Sequence, residues 1–215
     1  MQKLKITVNL LTPIIFGGGY MTFDALLASI LFDQLGDVEQ AHSSVPIRVT
    51  DGLFHASAAI LEPIDQSRTS FVANLRADHS IDPDLIFKNK KGAIYKAMGR
   101  TRRRDFGAVM NSYDMITTPT ITWYVDGDPD LISSLVHDTT FIGKRRASGF
   151  GEVLSWDIED GELDGLQGFS GEPLRPIPAE RFDGDTSCLR VDAAWRPAYW
   201  HPMNRAICYA PEMLS

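Results

Sequence analysis

The chain has 215 residues, of which 44% are hydrophobic and 10% aromatic, so it can bury a sizeable core and its composition disfavours disorder. No stretch approaches the roughly 18 uninterrupted apolar residues of a membrane span, and the first residues carry no apolar leader typical of a signal peptide. Cys188 and Cys208 lie far apart and outside any metal-ligand spacing. We therefore expect a soluble cytoplasmic protein without membrane contact, metal or other cofactor.

The basic residues are concentrated in two short segments, although the formal net charge of −7 argues at first against a nucleic-acid partner. These segments hold 11 of the 21 Lys and Arg residues, and all 28 acidic residues lie elsewhere. The first comprises Lys88, Lys90, Lys91, Lys96, Arg100, Arg102, Arg103 and Arg104, and the second comprises Lys144, Arg145 and Arg146. An isolated charge run is ordinarily a solvated loop, but two acid-free runs in an acidic chain favour a focused site for a polyanion.

The first third of the chain predicts a strand, a helix and a hairpin. Apolar and polar residues alternate over Lys3–Leu10, which is typical of a half-buried strand. Apolar residues recur at helical spacing from about Thr22 to Leu35. Strand-like segments at Val45–Thr50 and Leu53–Leu61 flank Asp51-Gly52, a dipeptide that favours a tight hairpin turn.

The remainder predicts a second strand–helix–strand unit after an insertion. Residues from about 64 to 111 show no clean periodicity and contain the longer basic run. A strand is expected over Met115–Val125, and Asp128 is expected to cap a helix that continues to Val136. Alternation returns over Val153–Ile158 and predicts a last strand.

These elements favour an α+β, ferredoxin-like (RRM-like) fold. Without the insertion, the predicted order of elements is a strand–helix–strand unit followed by a second such unit. The predicted sheet is antiparallel, with helices on one face. We expect one domain over residues 1–159, with the basic insertion at about 64–111, and a C-terminal appendage over 160–215 that packs on the core.

The segment Gly143–Gly151 is the strongest functional signal. Its glycines permit unusual backbone angles and close approach to a ligand, and its cations can neutralise phosphates. A mononucleotide phosphate loop is not expected, because such loops join a strand to a following helix, whereas this one joins a helix to a strand. The residues predicted to bind RNA here are Gly143, Lys144, Arg145, Arg146, Ser148, Gly149 and Gly151.

The stretch from Gly143 to Val153 resembles the glycine-rich loop of the RAMP superfamily of CRISPR-associated proteins, which lies between the last helix and last strand of a ferredoxin-like fold. Three further segments are similar to the small RAMP subunit of type IV CRISPR systems: Phe23–Ala28, Ser44–Ile47 and Phe54–Ser57. The resemblance covers roughly residues 1–62 and 115–159.

The resemblance implies a non-catalytic subunit that caps the repeat-derived 5′ handle of the guide RNA (crRNA) in a type IV effector complex for antiviral defence. It implies a backbone RAMP subunit and a large subunit as protein partners, with any contact to target DNA indirect. The run from Lys88 to Arg104 is expected to act as a flexible clamp that becomes ordered on RNA.

Two alternatives stay open at this point. Some relatives are guide-processing endoribonucleases that keep a catalytic histidine just after the first helix, where His42 lies, but nothing in the sequence pairs His42 with a second acid–base group. More distantly, Gly17–Gly19 after the first strand resembles a degenerate dinucleotide fingerprint, with Asp51 as the ribose-binding acid of a nucleotide-dependent enzyme.

Overall fold

The computed structural model describes residues 1–17, 19–73 and 109–212. The chain divides into two compact units, one formed by Met1–Gln66 with Met115–Ser215 and the other by Ser67–Asp114. Helices and antiparallel sheets are combined in the described residues, so the fold class is α+β. Within the described ranges, no helix is both long and apolar enough to cross a membrane.

The described residues form eleven strands, three α-helices and two short 3-10 turns. The strands are β1 (Gln2–Leu10), β2 (Ile14–Ile15), β3 (Val49–Thr50), β4 (Leu53–Phe54), β5 (Asp65–Ala73), β6 (Val109–Thr117), β7 (Thr120–Gly127), β8 (Val153–Asp160), β9 (Ile177–Pro178), β10 (Arg190–Ala194) and β11 (Arg205–Tyr209). The helices are α1 (Phe23–Leu35), α2 (Val38–Ser43) and α3 (Pro129–His137), and the 3-10 turns are Arg146–Ser148 and Pro202–Asn204.

The central sheet has the order β7-β1-β8, and both neighbours of β1 run antiparallel to it. Ile6 lies opposite Trp123 on one side and Ile158 on the other. The predicted alternation in β1 is confirmed, since Leu4, Ile6 and Val8 are buried on one face. This face forms the core beneath α1 and α3, whose buried residues belong to the same hydrophobic cluster.

The outer edge of β7 is lined by the chain between residues 47 and 60. Antiparallel bridges join Ile47 to Gly127, Ala56 to Val125 and Ile60 to Thr122. The hairpin predicted at Asp51-Gly52 is present, but β3 and β4 have only two residues each. The longer predicted strands are wrong because the segment is irregular: the Ser57 hydroxyl oxygen, instead of a backbone carbonyl, accepts from the Tyr124 amide at 2.9 Å.

The helix predictions hold with one omission. α1 begins after Thr22, and α3 is capped as predicted by Asp128, whose carboxylate accepts hydrogen bonds from the amides of Asp130 and Leu131. The sequence analysis missed α2. It is only six residues long, which is too short to show a helical repeat, although Asp37 caps it by accepting from the amide of Gln40.

The single strand expected over Met115–Val125 is wrong, because the chain breaks into β6 and β7 at Thr118-Pro119. Proline removes a backbone donor from a sheet. The Thr118 hydroxyl stabilises the break by donating to the carbonyls of Glu62 at 3.1 Å and Thr120 at 2.8 Å. Before the break, Ile116 and Met115 pair with β2.

Within the second unit, the described residues are Ser67–Ala73 of β5 and the first six residues of β6. Ser70 and Ser112 are hydrogen-bonded through their hydroxyl groups at 2.9 Å, and an exposed Arg68–Asp114 ion pair lies at 3.2 Å. The strands thus enter the region expected to be an aperiodic insertion. The predicted clamp from Lys88 to Arg104 lies outside the described residues and stays a prediction.

Arg175 connects the C-terminal segment to the first helix. It is fully buried, and its guanidinium donates to the equally buried Asp24 carboxylate at 3.1 Å. It also donates to the backbone carbonyls of Phe54, Ala56 and Trp195 at 2.7–3.0 Å. Tyr199 completes the cluster, because its hydroxyl accepts from Arg175 at 2.7 Å and donates to Asp24.

We predict that Arg175→Met lowers the free energy of unfolding by roughly 3–5 kcal/mol, because it leaves the buried Asp24 carboxylate without its counter-charge. The matched control is Arg205→Met, which removes an exposed ion pair with Asp192 and should cost at most about 1 kcal/mol. Urea unfolding measures both variants. Equal losses in the two variants would contradict a special role for Arg175.

Candidate nucleic-acid interface

The glycine loop, defined here as residues Gly143–Gly151, is fixed at both ends to the chain that follows β1. The Lys144 amide donates to the Ile15 carbonyl at 2.8 Å, and the Gly151 amide donates to the Pro13 carbonyl at 2.9 Å. The Ile142 amide closes the base of the loop by donating to the Gly151 carbonyl at 2.8 Å. The sheet and β2 therefore determine where the loop projects.

Packing within the protein requires glycine at two of the three glycine positions of the loop. Gly143 and Gly151 have φ values of +82° and +71°. A Cβ atom on Gly143 would lie 2.8 Å from the Ile15 carbonyl oxygen, and one on Gly151 would overlap the Ile142 carbonyl oxygen. Gly149 also has a φ that favours glycine, +84°. It differs from the other two because no atom lies within 4 Å of its Cβ position. Of the three glycines in the loop, only Gly149 combines the glycine conformation with open space.

The middle of the glycine loop is a 3-10 turn, Arg146–Ser148, between two residues in the left-handed conformation. Those residues are Arg145, with a φ of +62°, and Gly149. The Ser148 amide donates to the Arg145 carbonyl at 2.8 Å, and the Gly149 amide donates to the Arg146 carbonyl at 2.9 Å. This tight turn exposes the Arg146 and Ser148 side chains.

The three cations of the glycine loop differ in their surroundings. Lys144 is exposed and donates to the Gly17 carbonyl at 3.2 Å, so it joins the two glycine-containing segments of the sequence. Arg145 is half-buried and engaged within the protein. Arg146 lies 3.7 Å from Asp33 of α1, with 49% and 59% of the two side chains exposed. Ion pairs this exposed contribute little free energy, so an incoming anion can replace Asp33 at low cost.

His42 lies at the end of α2, in a cleft that it shares with Tyr199, Trp200 and Phe32. Tyr199 is an acid–base group that lines this cleft, but its hydroxyl donates to Asp24 and accepts from Arg175. Burial raises the pKa of Tyr199 far above its ordinary value, which makes the hydroxyl a poor proton donor near neutral pH.

His55 has partners on both ring nitrogens. Its Nε2 lies 2.9 Å from the Thr50 hydroxyl and its Nδ1 lies 3.2 Å from the Asp164 carboxylate. The hydrogen bond with His55 lowers the pKa of Asp164. The chain Thr50–His55–Asp164 links the β3–β4 hairpin to the segment after β8.

The geometry of a dinucleotide site is missing around Gly17–Gly19. Such a site requires parallel strands on either side of the helix, whereas both neighbours of β1 are antiparallel to it. Asp51 occupies a hairpin turn with a φ of +50° rather than the end of a parallel strand. Gly18 lies outside the described residues.

The sequence analysis missed the Asp24–Arg175–Tyr199 cluster and a cleft beside the glycine loop. That cleft encloses about 490 Å³ between the last turns of α1 and α3, and Arg146 and Ala147 contribute to its wall. No sequence signal identifies it, since its residues come from three separate segments. Among the described residues, no group of three or more His, Cys, Asp and Glu side chains is arranged to hold a metal ion.

Comparisons with known proteins do not identify the chain. No protein-family model and no curated protein matches it. Among solved structures, it is similar to a chain of the cryo-EM structure of type III-B Cmr-beta bound to cognate target RNA, at 10% sequence identity and a TM-score of 0.38. The similarity covers 74% of this chain but only 61% of that one.

We predict that Gly151→Ala destabilises the protein more than Gly149→Ala does. Both place an alanine in the left-handed region, which costs roughly 1–2 kcal/mol, but only the first brings its Cβ into the Ile142 carbonyl oxygen. Urea unfolding of the two variants provides the comparison. Similar losses of stability would show that the close packing at Gly151 is not a constraint on the loop.

Proposed function

We propose that the chain binds RNA phosphate through the glycine loop, as a non-catalytic subunit of a type IV CRISPR ribonucleoprotein complex. The observation that carries the proposal is the loop itself, a rigidly anchored turn with exposed Lys144, Arg146 and Ser148 and an open Gly149. Elsewhere the chain is acidic, with 28 Asp and Glu residues. An anion is therefore attracted to the basic segments and repelled by most of the remaining surface.

The sheet topology supports a ferredoxin-like RAMP fold. The edge segment at 47–60, β7, β1 and β8 lie side by side in that order, with antiparallel neighbours throughout. Two strand–helix–strand units interleaved in this way give the sheet of a ferredoxin-like fold. The glycine loop lies between α3 and β8, which is the position of the glycine-rich loop in the RAMP superfamily that it resembles.

We propose that the bound RNA is the 5′ handle of the guide RNA, and that the protein docks on a backbone RAMP subunit and a large subunit of the complex. The support is the resemblance at Gly143–Val153, Phe23–Ala28, Ser44–Ile47 and Phe54–Ser57. Contacts to phosphate fix the register of an RNA without specifying its sequence, which suits a subunit that holds a constant end of a variable guide.

We predict that changing Lys144, Arg145 and Arg146 together to alanine weakens the binding of repeat RNA and flattens its salt dependence. For every phosphate of single-stranded RNA that the variant no longer neutralises, the slope of log K against log salt concentration should fall by roughly 0.7. The same charge change at the surface residues Lys3, Lys5 and Arg68 is the control and should leave most of the slope in place. An unchanged slope in a folded loop variant would remove the glycine loop from the interface.

The runner-up function is a guide-processing endoribonuclease with His42 as the base. It is favoured by one observation, namely that His42 and Tyr199 line the same cleft. Metal-independent RNA cleavage needs a base and a proton donor, and we propose that Tyr199 does not serve as the donor because its hydroxyl is committed to Asp24.

We therefore predict that the pure protein leaves repeat RNA intact, with or without magnesium, in a gel assay of product formation. Wild type and His42→Ala should behave alike, because the other acid–base group that the described residues place in the cleft, Tyr199, is committed to Asp24. Metal-independent cleavage that disappears in His42→Ala, but persists in the control His137→Ala on the exposed end of α3, would establish the processing enzyme instead.

A further inference from the structure

The cleft beside the glycine loop has the size and lining of a nucleotide-binding site. Its volume of about 490 Å³ falls within the range of ligand sites in proteins. Ile30, Leu135 and Phe141 give it apolar walls that suit a planar ring. Arg146 lies both in the cleft wall and in the glycine loop, so a ligand that enters the cleft is adjacent to the proposed phosphate contacts.

The polar groups of the cleft are mainly hydrogen-bond acceptors. The carboxylates of Asp33 and Asp138 can only accept, while Gln34, Thr139 and Thr140 add groups of mixed character. Among the described residues that line the cleft, Arg146 is the one cation, and it lies 3.7 Å from Asp33. A ligand that fits this lining carries a negative group toward Arg146 and N–H donors toward the carboxylates.

We propose that the cleft binds a guanine base of the same RNA whose phosphate is bound by the glycine loop, an inference that rests on the proposed function. Guanine presents N1–H and N2–H2 side by side, which matches the two oxygens of one carboxylate. Uracil has its N–H between two carbonyls. Adenine and cytosine have a ring nitrogen acceptor beside the amino group. Each of these three bases would therefore place an acceptor atom next to a carboxylate oxygen, which is unfavourable. Bases of single-stranded RNA are recognised through such edges when they leave the stack.

Asp33 has a different partner in the free and bound states of this proposal. Without RNA it pairs with Arg146 at 3.7 Å, and both residues line the cleft. A phosphate on the glycine loop takes Arg146, and the released Asp33 carboxylate then accepts from guanine. Both side chains are half exposed, so the exchange of partners needs no rearrangement of the core.

The test measures binding of an oligouridine of about ten nucleotides, within the site sizes of single-strand binders, and of the same oligonucleotide with one central guanosine, adenosine or cytidine. Because phosphate contacts carry no sequence information, a uniform strand can bind in several equivalent registers, and one of these registers places the single guanosine in the cleft. We expect the guanosine oligonucleotide to bind roughly fivefold to a hundredfold more tightly than the others, the discrimination of a good bidentate contact.

The double variant Asp33→Asn/Asp138→Asn should reduce this preference to less than about twofold, since a carboxamide keeps only one acceptor oxygen, while oligouridine still binds. The control Glu39→Gln/Asp130→Asn makes the same charge change on exposed positions of α2 and α3 and should keep the preference. A preference that survives in the Asp33/Asp138 variant overturns the cleft as its origin.

The outcomes separate this inference from the function on which it rests. If wild type binds all four oligonucleotides equally and the variant with alanine at Lys144, Arg145 and Arg146 binds none, the phosphate site is supported and the guanine site is overturned. If wild type binds no oligonucleotide, or the loop variant binds them as well as wild type does, the proposed function is wrong and the guanine site falls with it.

Discussion

The buried ion pair between Arg175 and Asp24 is the interaction on which the arrangement of the larger unit depends. Two charges removed from water are costly unless each finds a close partner and further hydrogen bonds. Here the guanidinium reaches Asp24, Tyr199 and three backbone carbonyls, although its Nε has no partner among the described residues. Since α1, the chain after β4 and the C-terminal segment each supply a partner, none of them can move without leaving a buried charge or carbonyl unsatisfied.

The same constraint extends to the segment along the edge of β7. Phe54 and Ala56 direct their carbonyls at Arg175 instead of at a strand partner, which is consistent with β4 ending at Phe54. Ala56 nevertheless keeps one bridge to Val125, and Ser57 uses both its amide and its hydroxyl oxygen to bond Tyr124. The edge of the sheet is thus held by side chains and a buried cation where a regular strand was expected.

The sequence predicts those features that local patterns determine. β1, α1 and the cap at Asp128 follow from alternation, helical spacing and capping chemistry, and the loop of glycines and cations is visible as a motif. Tertiary contacts determine the remainder. No pattern around Arg175 distinguishes a buried guanidinium from an exposed one, and the division of Met115–Val125 at Pro119 depends on the Thr118 hydroxyl reaching Glu62. The cleft beside the loop forms only when α1 and α3 pack together, so no local pattern predicts it.

Under the proposed function, the glycine loop serves structure and binding at different positions. Gly143 and Gly151 let the loop ends pack on Ile15 and Ile142, where any side chain would collide with a carbonyl oxygen. A rigid base reduces the conformational entropy lost when the turn between them meets a ligand, and preorganisation of this kind favours affinity. The exposed Arg146–Asp33 pair adds little stability but keeps the guanidinium beside α1, in the wall of the cleft. Under the proposed function, an arginine so placed would reach an incoming phosphate with few rotamers to lose, so the weak ion pair would contribute more to the encounter with an anion than to folding.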